Sequence, residues 1–132
     1  MLFRSLVGRV TEVGPDWAKV LSIIADNSNV SATLLSTEEH LIVSGDLELY
    51  SQGSIRFSQL IDREEKVAHG DKIVTSNISE KYLPGILIGY IKSLDVDSNN
   101  LTKSGEIIPA VDFGHLDEVL VILDKKQTIN EK

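Results

Sequence analysis

The chain is cut into short apolar runs by turn residues, and the cuts recur about every 8–12 residues. "GPDW" (Gly14–Trp17), "DNSN" (Asp26–Asn29), Gly45-Asp46, Gly70-Asp71, Pro84-Gly85 and "DVDSNN" (Asp95–Asn100) each end a stretch too short for a long helix. Between them, Val30-Ser31-Ala32-Thr33-Leu34 alternates with period two, which places Val30, Ala32 and Leu34 on one face of a strand. Helical periodicity is almost absent. About ten short strands of this kind predict an all-β fold, a barrel or a sandwich.

Composition points the same way. Of 132 residues, 42% are hydrophobic but only 5% aromatic, so the core must come from Val, Ile and Leu. β-Branched side chains fit a pleated sheet better than a helical turn. The length suits one ordinary domain or two very small ones sharing a core. A net charge of −7, with no stripe of Lys and Arg to offset it, repels phosphate backbones. Nucleic acid is therefore not expected as a partner, and anionic lipid headgroups are disfavoured for the same reason. The absence of cysteine removes disulfides, thiolate metal ligands and a Cys nucleophile together. No run approaches the roughly 20 apolar residues that span a bilayer. Met1–Ser5 lacks the form of a signal peptide.

Several local expectations follow from the turn chemistry. Strands are predicted at Ser5–Val13, with a bulge or close approach at Gly8, and at "AKVLSII" (Ala18–Ile24). Further strands are expected at His40–Ser44, Leu47–Ser51, around Ile55 and Phe57, and at "KIVTS" (Lys72–Ser76). Ile86–Leu94 reads as the longest strand, buried on both sides. After the Asp95–Asn100 turn, "EIIPAV" returns as a hairpin partner, with Pro109 on an edge or at a bulge because it lacks an N–H. "EVLVIL" (Glu118–Leu123) reads as a continuous apolar strand. Asp62–Lys66, "DREEK", reads as a solvated loop or a single helical turn. Trp17 is expected as a core plug or a barrel lid. Residues 1–124 form the β-barrel domain in this reading, with most of one barrel and strands of a second. Residues 125–132 form a polar tail.

The chemistry-bearing residues do not assemble into a known catalytic pattern. Ser44 in "VSGD" and Ser76 in "TSNI" lack the glycine-flanked elbow of the α/β-hydrolases. His40, His69 and His115 lie in unrelated contexts, and none has the HxH or HxxxH spacing that places two imidazoles on one metal. Asp95–Glu106 has acidic residues where a calcium loop needs its first and twelfth ligands, but Asn100 replaces the sixth-position glycine and both flanks read as strands. A plain hairpin turn is the simpler account. No glycine cluster precedes a helix start as a phosphate loop requires. No cofactor and no metal is expected.

Four segments taken in order carry a family likeness. They are "LVGRVTEVGPDWAKVLSI", "SGD", "VAHGDKIVTSNISEKYLPGILIGYI" and "IIPAVDFGHLDEVLVIL". Together they resemble the extracytoplasmic β-domain of the MreC family of bacterial rod shape-determining proteins, from about Leu6 to Leu123. Gly70, Asp71, Thr75, Ser76, Pro84, Gly85, Gly89, Pro109 and Asp112 match the motifs. Physically they read as turn and bulge chemistry: Gly70-Asp71 reverses the chain, and Pro84-Gly85 suits the central pair of a type II turn. Gly89 permits close approach to a buried strand.

The resemblance implies small barrels of chymotrypsin-like type without the catalytic residues. It also implies a scaffold that is not an enzyme, anchored outside the cytoplasm and serving cell-wall elongation. The partners it implies are MreD, MreB, RodA and class B penicillin-binding proteins, with self-association into a homo-dimer or filament. The sequence departs from the family pattern in lacking its membrane helix, its coiled coil and the strands before "LVGRV". Asn77 also stands where the family usually has glycine, at a turn expected to need positive φ. Two other readings stay open on the residues alone: a serine hydrolase of chymotrypsin-like fold using Ser76, and a small-ligand barrel with an enclosed cavity.

Overall fold

The structure is a computed structural model that describes residues 5–116 and 118–122. The tail expected at residues 125–132 lies outside the described residues. The element order is β1 (Gly8–Val13), β2 (Ala18–Ser22), β3 (Asn29–Leu34), β4 (His40–Ser44) and a one-turn helix α1 (Leu47–Tyr50). It continues through β5 (Ile55–Leu60), β6 (Lys72–Thr75), β7 (Leu87–Ile91), β8 (Asp95–Val96) and β9 (Lys103–Pro109) to a 3₁₀ turn at Phe113–His115. Every strand pairing is antiparallel.

Six of the strands close on themselves. The order β5-β4-β3-β6-β7-β9 returns to β5 through a β5–β9 pairing, so the sheet is a barrel. β8 adds a short edge strand on β9. Register explains the core. Val30 lies opposite Val43, Ala32 opposite Leu41 and Thr75, Leu34 opposite Ile73, and Ile55 opposite Ile107. Each pair puts two inward side chains next to each other, and all nine residues are buried. Phe57 fills the middle, and Ile88, Ile91 and Leu60 complete the interior. Each such aliphatic burial contributes roughly 1.5–3 kcal/mol. The alternation of Val30, Ala32 and Leu34 is thus realised as expected.

β1 and β2 form a separate two-stranded hairpin. Its bulge falls between Val10 and Glu12, beyond Gly8. The hairpin is rooted on the barrel by Leu6 and Ile23, both buried, and by the Leu6 N–H donating to the Leu87 carbonyl at 2.8 Å.

Tertiary context overrode several sequence expectations. Leu47–Ser51 is not a strand: Asp46 accepts the Leu49 N–H at 2.9 Å and caps α1, so a helical turn wins locally. β7 ends at Ile91, and β9, not β7, is the longest strand. Asp95–Val96 is strand rather than turn. Pro109 is neither on an edge strand nor at a bulge; it ends β9 opposite Gly89, where a strand's last residue needs no further N–H. Asn77 is not among the positive-φ residues, a role that Gly85 takes in this loop with φ of 79°. Trp17 is no core plug, for its indole lies over Gly14 at the hairpin turn and is 54% exposed. "DREEK" is only partly solvated, because Asp62 is buried. Glu118–Ile122 forms no strand, and its apolar residues stand in solvent with Leu120 96% exposed.

Candidate functional site

Thr75 ends β6 and Ser76 follows it, both buried. The Thr75 hydroxyl donates to the Leu83 carbonyl at 2.6 Å and accepts the Ile86 N–H at 2.9 Å. The Thr75 carbonyl also accepts the Gly85 N–H at 3.0 Å, so one residue staples both ends of the 76–85 loop. Ser76 Oγ accepts the Ile78 N–H at 3.2 Å, and its own N–H donates to Ser31. Neither hydroxyl faces a base. His40 and His69 are exposed, and His115 is held by Asp112 on another part of the chain. Ser44 Oγ donates to Asn29 at 2.8 Å. Ser76 is thus part of a turn and Ser44 of the β3–β4 pairing, and no Ser–His hydrogen bond forms among the described residues.

The remaining motif residues do similar work elsewhere. Gly70, with φ of 88°, donates to the Ile91 carbonyl at 2.8 Å. Asp71 accepts the Ala68 N–H at 2.8 Å, closing the turn into β6. Gly85 has open space around it, so its positive φ alone demands glycine. Gly89 is constrained by space instead, because a Cβ there would meet the Ile108 carbonyl oxygen at 2.3 Å. Asp112 accepts the Gly114 N–H at 3.0 Å and pairs with His115 Nδ1 at 2.9 Å. The His115 contact, with the Gly114 N–H behind it, holds the Asp112 carboxyl below its ordinary range. The turn that Asp112 starts is pinned to α1. The Phe113 N–H donates to Tyr50 Oη at 2.9 Å, and the two rings meet edge to face with centroids 5.5 Å apart.

The motif therefore does not converge on one site. It frames the barrel at its turns and, at Thr75, Gly89 and Pro109, within β6, β7 and β9. No group of three or more His, Asp or Glu able to hold a metal occurs among the described residues. Asp97, the third position of the Asp95–Glu106 segment, accepts the hydroxyls of Ser104 at 2.6 Å and Thr102 at 2.5 Å, which lowers its carboxyl below the ordinary range. The barrel interior is packed with side chains. A shallow apolar groove of about 80 Å³, bordered by His40, Gln59 and Ile78, lies on the β3–β4 side.

Some organising residues gave no warning in the sequence. Asp62 accepts the Lys66 and Val67 N–H groups and pairs with Lys103 at 3.1 Å, closing its own loop onto β9. Only the register of β5 against β9 reveals that an acidic residue at the head of a charge run points inward. The exposed apolar residues are the other feature. Val10, Val13, Trp17 and Val20 line the hairpin, and Val119–Ile122 follow the 3₁₀ turn. Large apolar surface left in water is the common mark of a binding surface.

Comparison with known proteins bears on what this frame is. A family model described as "Rod shape-determining protein MreC, barrel core" matches residues 3–123. The chain belongs to the MreC family. Cell shape-determining protein MreC of Geobacillus stearothermophilus and that of Bacillus subtilis are each 28% identical over 124 residues, covering 89% of this chain and 43% of theirs. The chain thus spans less than half the length of these relatives. A solved MreC structure from Listeria monocytogenes is similar with a TM-score of 0.71 at 29% identity, over 82% of this chain and 51% of that one. MreC from Pseudomonas aeruginosa shares the fold, with a TM-score of 0.68 at 19% identity. The all-β barrel and the family likeness read from the four MreC segments agree with these matches. No helix among the described residues is long and apolar enough to cross a membrane.

Proposed function

We propose that this chain is a non-catalytic scaffold module that helps maintain rod shape by binding other morphogenesis proteins and itself. The observation that carries this reading is the engagement of Thr75 and Ser76. The hydroxyls that most resembled a nucleophile pair staple a loop and have no histidine beside them. The barrel then serves as a rigid support for exposed apolar surface, a physical route to protein binding. In this reading the module works outside the cytoplasm, tethered to the cell membrane. Its partners are MreD, MreB, RodA and class B penicillin-binding proteins, together with further copies in a dimer or filament. The hairpin β1–β2 and the Val119–Ile122 run belong in the same reading to a second small barrel. Two facts support this: neither hairpin strand lies against a strand of the closed barrel, and both segments expose apolar side chains. The chymotrypsin-like form of the barrels is part of the proposal.

The test uses the full-length protein in rod-shaped cells depleted of the native copy. Val13→Asp with Leu120→Asp is expected to abolish rod shape and co-purification of a class B penicillin-binding protein, while Ser76→Ala retains both. Loss of shape in Ser76→Ala, with folding and partner capture intact, would instead favour a hydrolase.

A further inference from the structure

Two segments of the chain expose apolar side chains, and both are tied to the same small element. In the β1–β2 hairpin, Val10 stands opposite Val20 and Val13 opposite Ala18, all four exposed. The Val119–Ile122 run follows the 3₁₀ turn after β9. The helix α1 touches the approach to each. On the hairpin side, Asp26, four residues past the end of β2, accepts the Leu47 N–H at 2.9 Å. The Ser28 carbonyl accepts the Gly45 N–H at 3.0 Å. A Cβ on Gly45 would strike the Ala25 and Ile23 carbonyl oxygens, so the β2–β3 connection lies directly against the entry to α1. On the other side, Phe113, four residues past the end of β9, donates its N–H to Tyr50 Oη at 2.9 Å. The two rings meet edge to face.

α1 is too small to stand without these ties. It is four residues long and buries none of them. Ordering a first helical turn is unfavourable, because several residues are fixed for one backbone bond. Here that bond is the Tyr50 N–H to the Asp46 carbonyl at 2.8 Å. What offsets the cost comes from the flanks. Asp46 caps the Leu49 N–H and is itself held by Arg56 of β5 at 3.0 Å. Asp26 satisfies the Leu47 N–H, and Phe113 engages Tyr50. A single turn forms or opens as a unit, so a tie lost at one end lowers the stability of the contacts at the other.

We propose that α1 is a coupling turn, joining the β2–β3 connection and the turn after β9 in one cooperative unit, so that loosening either attachment loosens the other. The hairpin surface and the Val119–Ile122 run are then not independent. A partner that pulls on one of them changes the freedom of the other through α1. This inference concerns one chain and stands whether or not the scaffold reading does.

Amide hydrogen exchange on the whole chain, followed residue by residue by NMR, tests it. Tyr50→Phe removes the acceptor of the Phe113 N–H and keeps the ring, while Asp26→Ala removes the acceptor of the Leu47 N–H. Tyr50 is half-buried and Asp26 exposed, so neither change opens the core. Tyr50→Phe is expected to speed exchange at Leu47, Ala25 and Ser28, on the hairpin side, by about fivefold or more. Asp26→Ala is expected to speed Leu49, Phe113 and His115 by at least about the same factor. Amides of β3 and β6 are expected to keep their rates in both variants. Acceleration confined to the altered end overturns the coupling, and so does an effect that runs in one direction only. Equal acceleration throughout β3 and β6 overturns it as well, because the turn would then open only with the whole barrel.

Discussion

The closed barrel and the β1–β2 hairpin are built from the same kinds of residue but use them in opposite ways. In the barrel, Val30, Val43, Phe57 and Ile107 meet across paired strands and exclude water. In the hairpin, Val10, Val13 and Val20 occupy equally regular strand positions and remain exposed. What separates the two is closure. Each barrel strand has neighbours on both sides, so every inward side chain finds others opposite it. Each hairpin strand has one, and among the described residues no barrel strand lies against it. The lesson is that apolar strand content measures what a segment can bury, not what it does bury.

Substitutions can break or sharpen this contrast. Phe57→Ala opens the middle of the barrel and is expected to cost about 3–5 kcal/mol in denaturant unfolding. Thr75→Val keeps the shape but removes the staple, leaving the Leu83 carbonyl and Ile86 N–H without their partner, for a loss of about 1–3 kcal/mol by the same measurement. Gly85→Val forces a β-branched residue to positive φ in open space, a purely backbone strain of about 1–2 kcal/mol. An unchanged melting temperature there would disprove the turn geometry.

A smaller effect is expected at Asp46, whose carboxyl is held below the ordinary 3.8 first by the Leu49 N–H and then by Arg56. A depressed folded value means its stabilisation is present above the unfolded value and disappears as pH falls through the folded one. Exchange protection at the Leu49 amide should therefore fall only in acid below that range, and Asp46→Asn should flatten the dependence. The smallest effect is expected on the other side of the comparison. Trp17→Ser should change barrel stability by less than about 0.5 kcal/mol, because its ring is exposed and lies over Gly14 at the hairpin turn.

Much of the barrel was legible in the sequence because its signals are local. Alternation marked β3, Gly70-Asp71 marked a reversal as a turn pair, and Pro84-Gly85 did so by a need for positive φ at Gly85. The Thr75-Ser76 pair was legible as turn chemistry, but its part as a two-ended staple was not, since Leu83 and Ile86 approach it only after the loop has closed. Asp46 was missed as a helix cap because a single turn carries too little periodicity to register. Glu118–Ile122 misled for a different reason. Its apolar run states strand propensity, while a strand also needs a neighbour, and the described structure supplies none.

The sequence by itself determined the all-β class, the positions of most reversals and the family likeness, because turn preference and period-two alternation are properties of adjacent residues. Only the tertiary structure decided that six strands close into a ring and that Asp62 is buried against Lys103. Those outcomes join residues dozens of positions apart, and register, which is set by packing the whole sheet at once, chooses among the partners that local chemistry leaves equally possible.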